Sequence, residues 1–240
     1  MTRARDESGA LRRGRERKAA ARRRSHKVRP PSAGREDPGG FRFPLGVELV
    51  EGENYRQRQG YDVVYLKDDE TPRYQYTIAV STASVADVFR RLAVLLGREV
   101  RAVLEIPGQD ESAHEVCDVW MGRLVPREKF MRAFEAHEKL FVHDGMVGFG
   151  AISADGLREL FIDDHKLIYY YTPNMEEADK ALAELALAPR NRLRHFSELA
   201  HVHVSLSGKG RKRRGEAYWE VAEELKRSLG LEWEESKEYS

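Results

Sequence analysis

Residues 74–97 read YQYTIAVSTASVADVFRRLAVLLG, and this stretch decides the fold. Tyr74 to Ser81 is rich in aromatic and β-branched residues, the signature of a strand. The period then changes. Val85, Val88, Phe89, Leu92, Leu95 and Leu96 recur at spacings of three and four and fall on one helical face. Ser84 with Asp87 three residues on predicts a capping box at the helix start, and Gly97 stands where a C-cap belongs. A strand feeding an amphipathic helix through a short turn makes this a mixed α and β chain.

The same plan returns at 166–187, KLIYYYTPNMEEADKALAELAL, which aligns with 76–97 without gaps. Thr172 matches Thr82, and the expected cap Asn174 matches Ser84. Either the chain carries a duplicated unit, or two strand–helix units resemble one another because the local rules are the same. Strands are also expected at 45–49, 61–66, 100–106, 116–120 and 146–153. Residues 157–162 and 166–172 read as a hairpin around Asp163-Asp164, where Asp is favoured by turn dihedrals. Tyr169-Tyr170-Tyr171 alternates across its strand, which predicts at least one exposed ring.

Helices are expected over Phe130 to Phe141, after Asn174, and from Tyr218 to Leu229, with a short one at 192–200. His201 to Leu206 alternates like a strand. The tail from Glu232 is acidic and reads as frayed. The fold class expected is α+β, a mixed, mainly antiparallel sheet packed against one layer of amphipathic helices, with a disordered basic N-terminal arm. The domain reading is an arm at 1–40, one globular domain at 41–232 and an acidic tail at 233–240.

A formal charge of +1 hides a strong asymmetry. Residues 1–40 hold thirteen Lys and Arg against five acids, a net +8, and the other 200 residues carry −7. The arm has too little apolar surface to offset the entropy of ordering its backbone. Arg12, Arg13, Arg15, Arg17, Lys18, Arg22, Arg23 and Arg24 form its densest cluster. Lys209, Arg211, Lys212, Arg213 and Arg214 form a second, in a glycine-rich loop. Flexible positive charge of this kind is drawn to a nucleic-acid backbone by counterion release, without sequence specificity. The absence of aromatics from 12–24 argues against base stacking as the main contact.

The histidines offer a rival chemistry. His201 and His203, two apart on a strand, face one side, a spacing zinc ligands use, and His195 could supply a third nitrogen. No HExxH motif accompanies them. Acids around His114 in the loop 109–115 could raise its pKa, though a loop led by Pro107-Gly108 is ordinarily solvated. No Walker-type phosphate loop and no GxSxG elbow is present, and Gly148 and Gly150 read as close-packing residues inside a strand. The single cysteine, Cys117, lies between valines and excludes an internal disulfide framework.

These observations favour a non-enzymatic binding module, without cofactor or catalytic residues, that contacts nucleic acid (DNA or RNA) or another polyanion through the arm and the basic loop. One alternative is a protein-interaction or immunity-type domain whose acidic body meets a basic protein. The other is a metal-dependent enzyme using His195, His201 and His203. With no secretory h-region after the arginines, a cytoplasmic location is the default expectation.

Overall fold

A computed structural model describes residues 36–37, 39–50, 55–67, 71, 73–108, 116–206 and 218–238. The arm residues 1–35, the acidic loop 109–115 with His114, and the basic segment 207–217 lie outside the described residues, so every nucleic-acid-binding position named above does too.

The strands are β1 (Val47–Leu49), β2 (Gly60–Leu66), β3 (Arg73–Ala79), β4 (Glu99–Pro107), β5 (Val116–Pro126), β6 (Gly148–Ser153), β7 (Glu159–Ile162), β8 (Ile168–Thr172), β9 (His201–His203) and β10 (Leu231–Glu238). The helices are α1 (Thr82–Ala93), α2 (Arg127–Ala136), α3 (Glu138–His143), α4 (Met175–Ala183) and α5 (Tyr218–Leu229). Eight strands form one sheet in the order β10-β5-β4-β6-β7-β8-β3-β2, every pair antiparallel, and β1 pairs with β9 in a separate two-stranded sheet. The fold is α+β, as the periodicities indicate.

The period-2 pattern sends alternate residues to two different cores. On β8, Ile168 and Tyr170 enter the helix-covered core, whereas Leu167, Tyr169 and Tyr171 enter a second cluster with Phe41, Phe43, Leu193 and Phe196. The helical core is centred on stacked rings. Phe89–Phe134, Phe134–Phe141, Phe141–Phe149 and Phe149–Phe130 have centroids 4.4, 5.9, 4.1 and 5.0 Å apart. Tyr61 and Tyr76 both donate to Asp179 Oδ1, at 3.1 and 3.0 Å, and so fasten α4 to the sheet.

The opposite face, along β8 and β3, is covered by a cap made of β1, β9 and the segments around them. Asp37 anchors its start. Its Oδ1 accepts the N–H groups of Gly39 and Phe41 at 2.7 and 3.0 Å, and its Oδ2 accepts that of Gln57 at 2.9 Å.

Several expectations change. The three tyrosines of β8 are all buried, because the cap covers the face that would otherwise be wet. Helix α1 begins at Thr82, and the Ser81 hydroxyl before it accepts the Arg42 N–H at 3.1 Å instead of capping the helix. The expected helix at 192–200 is a 3₁₀ turn, Phe196–Glu198. The supposed frayed tail is β10, paired with β5 from Leu231 to Glu238, with Ser236 donating to Asp118 at 2.6 Å. Its charged composition suits an edge strand, where side-chain charge discourages further pairing. Asn174 caps α4 as anticipated, accepting the Glu177 N–H at 3.3 Å. Gly148 and Gly150 also behave as expected, since a Cβ on either would lie 2.6 Å from the Phe161 ring.

Candidate metal centre

The β7–β8 turn, Asp163-Asp164-His165-Lys166, is the most polar stretch of its hairpin and is nevertheless buried. Its four residues are 3, 8, 1 and 3% exposed. Hairpin turns ordinarily lie at the surface, because buried loops strand polar groups. Here the backbone closes on itself. The Asp163 N–H donates to Leu167 O at 3.1 Å, and the Lys166 N–H to Asp163 O at 3.0 Å. Asp163 Oδ1 accepts the Leu167 N–H at 2.8 Å, and Lys166 takes a φ of 64°.

The cap brings β9 over this turn. Alternation turns the Val202 side chain outward, 38% exposed, and sets His201 and His203 on the other side. Register with β1 pairs Val47 with His203 and Leu49 with His201. A tight backbone crossing fixes the strand. The Gly46 N–H donates to His143 O (2.7 Å), the Val204 N–H to Gly46 O (2.8 Å) and the Gly145 N–H to Val204 O (3.2 Å). A Cβ on Gly46 would lie 2.1 Å from Gly145 N, and one on Gly145 1.9 Å from Gly46 O, so glycine is required at both crossing points.

Three imidazoles meet there. The Nε2 atoms of His165 and His201 are 2.9 Å apart, those of His201 and His203 3.0 Å, and those of His203 and His165 3.3 Å. Each opposite nitrogen, Nδ1, faces oxygen acceptors. His201 Nδ1 lies 2.7 Å from Leu199 O, and His203 Nδ1 2.5 Å from Gly145 O. His165 Nδ1 lies 2.8 Å from Asp164 Oδ1 and 3.3 Å from Asp163 Oδ2. The network therefore assigns the protons to Nδ1 and leaves three Nε2 lone pairs pointing at one another. With all three rings neutral that arrangement is repulsive, and either a proton on His165 Nε2 or a metal cation among the three relieves it. Metal–nitrogen bonds of about 2.0–2.1 Å at angles of 90–109° place ligand nitrogens roughly 2.9–3.4 Å apart, the range seen here.

The surrounding charge supports the same reading. Asp144, fully buried, accepts the N–H groups of Leu206 (2.8 Å) and Met146 (3.0 Å) and the Ser205 hydroxyl (3.1 Å). Lys166 Nζ donates to Val147 O at 2.5 Å. With Asp163 and Asp164, the formal count is three carboxylates against one ammonium, a deficit of two positive charges that a dication on three neutral imidazoles would cancel. Burial is the largest single influence on how these groups titrate. Burial lowers the His165 pKa, but Asp164 and Asp163 outweigh it and hold the ring up at about 9. Burial, with the charge on His165 and His203, takes His201 down to about 4, and burial also lowers His203. Lys166 falls to about 8 through burial, against the pull of Asp144 and Asp164, and burial raises Asp144.

The set expected from the sequence is thus corrected in one member. His201 and His203 stand together as anticipated, but the third nitrogen comes from His165. His195 lies at the 3₁₀ turn, with its Nε2 3.6 Å from Asp62 Oδ1. The hairpin turn expected around Asp163-Asp164 is present, and it is buried. One signal could have found it: the flanking strands ELFI and IYYYT are apolar on both faces, the pattern of strands covered on both sides, and a turn between such strands can be covered with them. Comparison with protein-family models, curated proteins and solved structures yields no match.

Proposed function

We propose that this is a divalent transition-metal protein whose working centre is His165, His201 and His203, with zinc as the ion to test first. The convergence of three Nε2 atoms, each backed by an acceptor on Nδ1, carries the reading. Imidazole sets suit zinc, copper, iron or nickel, and hydrogen-bonded Nδ1 atoms are the usual support of metal-bound histidine. His165 is sealed, whereas His201 and His203 are half-buried. A metal held by these three ligands with a position left open would polarise water or a substrate carbonyl or phosphoryl oxygen.

Metal analysis of the purified full chain tests this. Equimolar zinc is expected in the wild type and no more than trace zinc in His203→Ala or His165→Ala. A wild-type chain that carries no metal and takes up none when micromolar zinc is returned overturns the proposal.

A second reading keeps the cationic segments. In sequence the bases at 209–214 lie between Leu206, three residues past β9, whose N–H is bonded to Asp144, and Tyr218, where α5 begins. Chain connectivity therefore tethers one of the two basic clusters to the metal centre. Together with the +8 of residues 1–40, this supports contact with DNA or RNA backbones. With about six phosphates engaged on a duplex, log K should fall against log salt with a slope near −5. Neutralising Lys209, Arg211, Lys212, Arg213 and Arg214 should flatten that slope. Absence of binding to either nucleic acid in dilute buffer refutes this reading and leaves the metal centre untouched.

A further inference from the structure

Asp163 and Asp164 are neighbours in sequence, both buried, and both close to His165, yet their contacts differ in kind. Asp163 builds the turn: its N–H and C=O close the backbone ring, and its Oδ1 accepts the Leu167 N–H at 2.8 Å. Its other oxygen stands 3.3 Å from His165 Nδ1. Asp164 reaches two imidazoles. Its Oδ1 lies 2.8 Å from His165 Nδ1 and also accepts the His165 N–H at 3.1 Å, and its Oδ2 lies 3.5 Å from His203 Nδ1. His165 belongs to the main sheet's hairpin and His203 to the cap, so one carboxylate spans the two layers that supply the ligands.

We infer that Asp164 is the main positioning residue of the centre, orienting His165 through the closer carboxylate contact to its Nδ1 and standing beside His203, whose Nδ1 is held by Gly145 O, while Asp163 makes only the longer contact to His165. The inference rests on the metal reading above. Removing such a support while leaving the ligands intact typically weakens a metal site by about 10–100-fold. Neutralising Asp163 instead removes the same formal charge at a similar distance from the cluster and keeps an oxygen for Leu167. Asp163 therefore serves as the comparison, a carboxylate of equal charge with the longer contact to His165 Nδ1.

The test compares zinc affinity, by chelator competition, and the ligand-field spectrum of the cobalt-substituted chain in the wild type, Asp164→Asn and Asp163→Asn. Asp164→Asn is expected to lose about 10–100-fold in affinity and to change the cobalt spectrum, because at least one ligand leaves its orientation. Asp163→Asn is expected to lose several-fold at most and to keep the wild-type spectrum. Should Asp164→Asn fail to fold, Asp164→Ser, smaller and still able to accept a hydrogen bond, carries the same expectation. Equal losses and equal spectra in the two neutralised variants overturn the positioning role while the metal reading stands. A wild-type chain that binds no zinc overturns both.

Discussion

The two faces of the eight-stranded sheet are built from different materials. The helix-covered face is a ladder of phenylalanines, with one aspartate, Asp179, holding two tyrosine hydroxyls. The cap-covered face shares the apolar logic through Phe41, Phe43, Leu193 and Phe196, but at its edge it also encloses Asp144, Asp163, Asp164, His165 and Lys166. Burying five ionisable groups near one another is costly unless they compensate one another or hold an ion. The difference teaches that the helical side supplies stability, and that the capped side gives some of it up to maintain a polar site.

That contrast can be broken most severely from the helical side. Phe149→Ala removes a ring stacked between Phe130 and Phe141, and should cost about 3–5 kcal/mol in denaturant unfolding. Zinc stoichiometry should stay at the wild-type level, because no ligand rests on that ring. A lost metal together with lost stability would mean the faces are coupled more tightly than their contacts imply.

Lys166→Met gives a comparable loss with the opposite dependence on metal. Stripping the ammonium from three buried carboxyls should destabilise the zinc-free chain by about 3–5 kcal/mol. Saturating zinc should recover part of it, since the dication supplies positive charge to the same place. Unfolding curves with and without zinc check this, and a deficit indifferent to zinc would contradict the charge argument.

In the wild type, zinc at 100 times its Kd should stabilise the fold by about 2.7 kcal/mol through linkage. The same zinc should leave His203→Ala unmoved in thermal unfolding. The smallest effect belongs to His195→Ala, which should cost on the order of 1 kcal/mol and leave zinc content unchanged. Zinc lost in that variant would restore the ligand set expected from the sequence.

Much of the fold was legible because the signals are local. The 3.6-residue recurrence from Val85 to Leu92 and the Asn174–Glu177 pair mark α1 and α4 by near-neighbour chemistry. Aromatic and β-branched runs mark β3 and β8, which prove to be adjacent antiparallel strands, Tyr76 beside Tyr170. The cap was not legible. It is assembled from 36–37, 39–50 and 190–206, segments with weak periodicity that cover apolar residues of the sheet. For that reason the burial of Tyr169 and Tyr171, and of the turn beyond them, escaped the reading. Strand β10 escaped for a related reason: an edge strand is held by backbone pairing with β5, and its side chains can be as charged as a tail's.

For the three-histidine cluster the division is sharper. Amino-acid order alone determined that His201 and His203 share a side, because alternation along a strand is a property of the strand itself. It also placed Asp163, Asp164 and His165 together in a turn. Only the tertiary structure decided that His165 stands with the strand pair while His195 does not. Which side chains meet across two layers depends on how the layers dock, here through the Gly46–Gly145 crossing. A separation of 36 residues between His165 and His201 carries no trace of that docking.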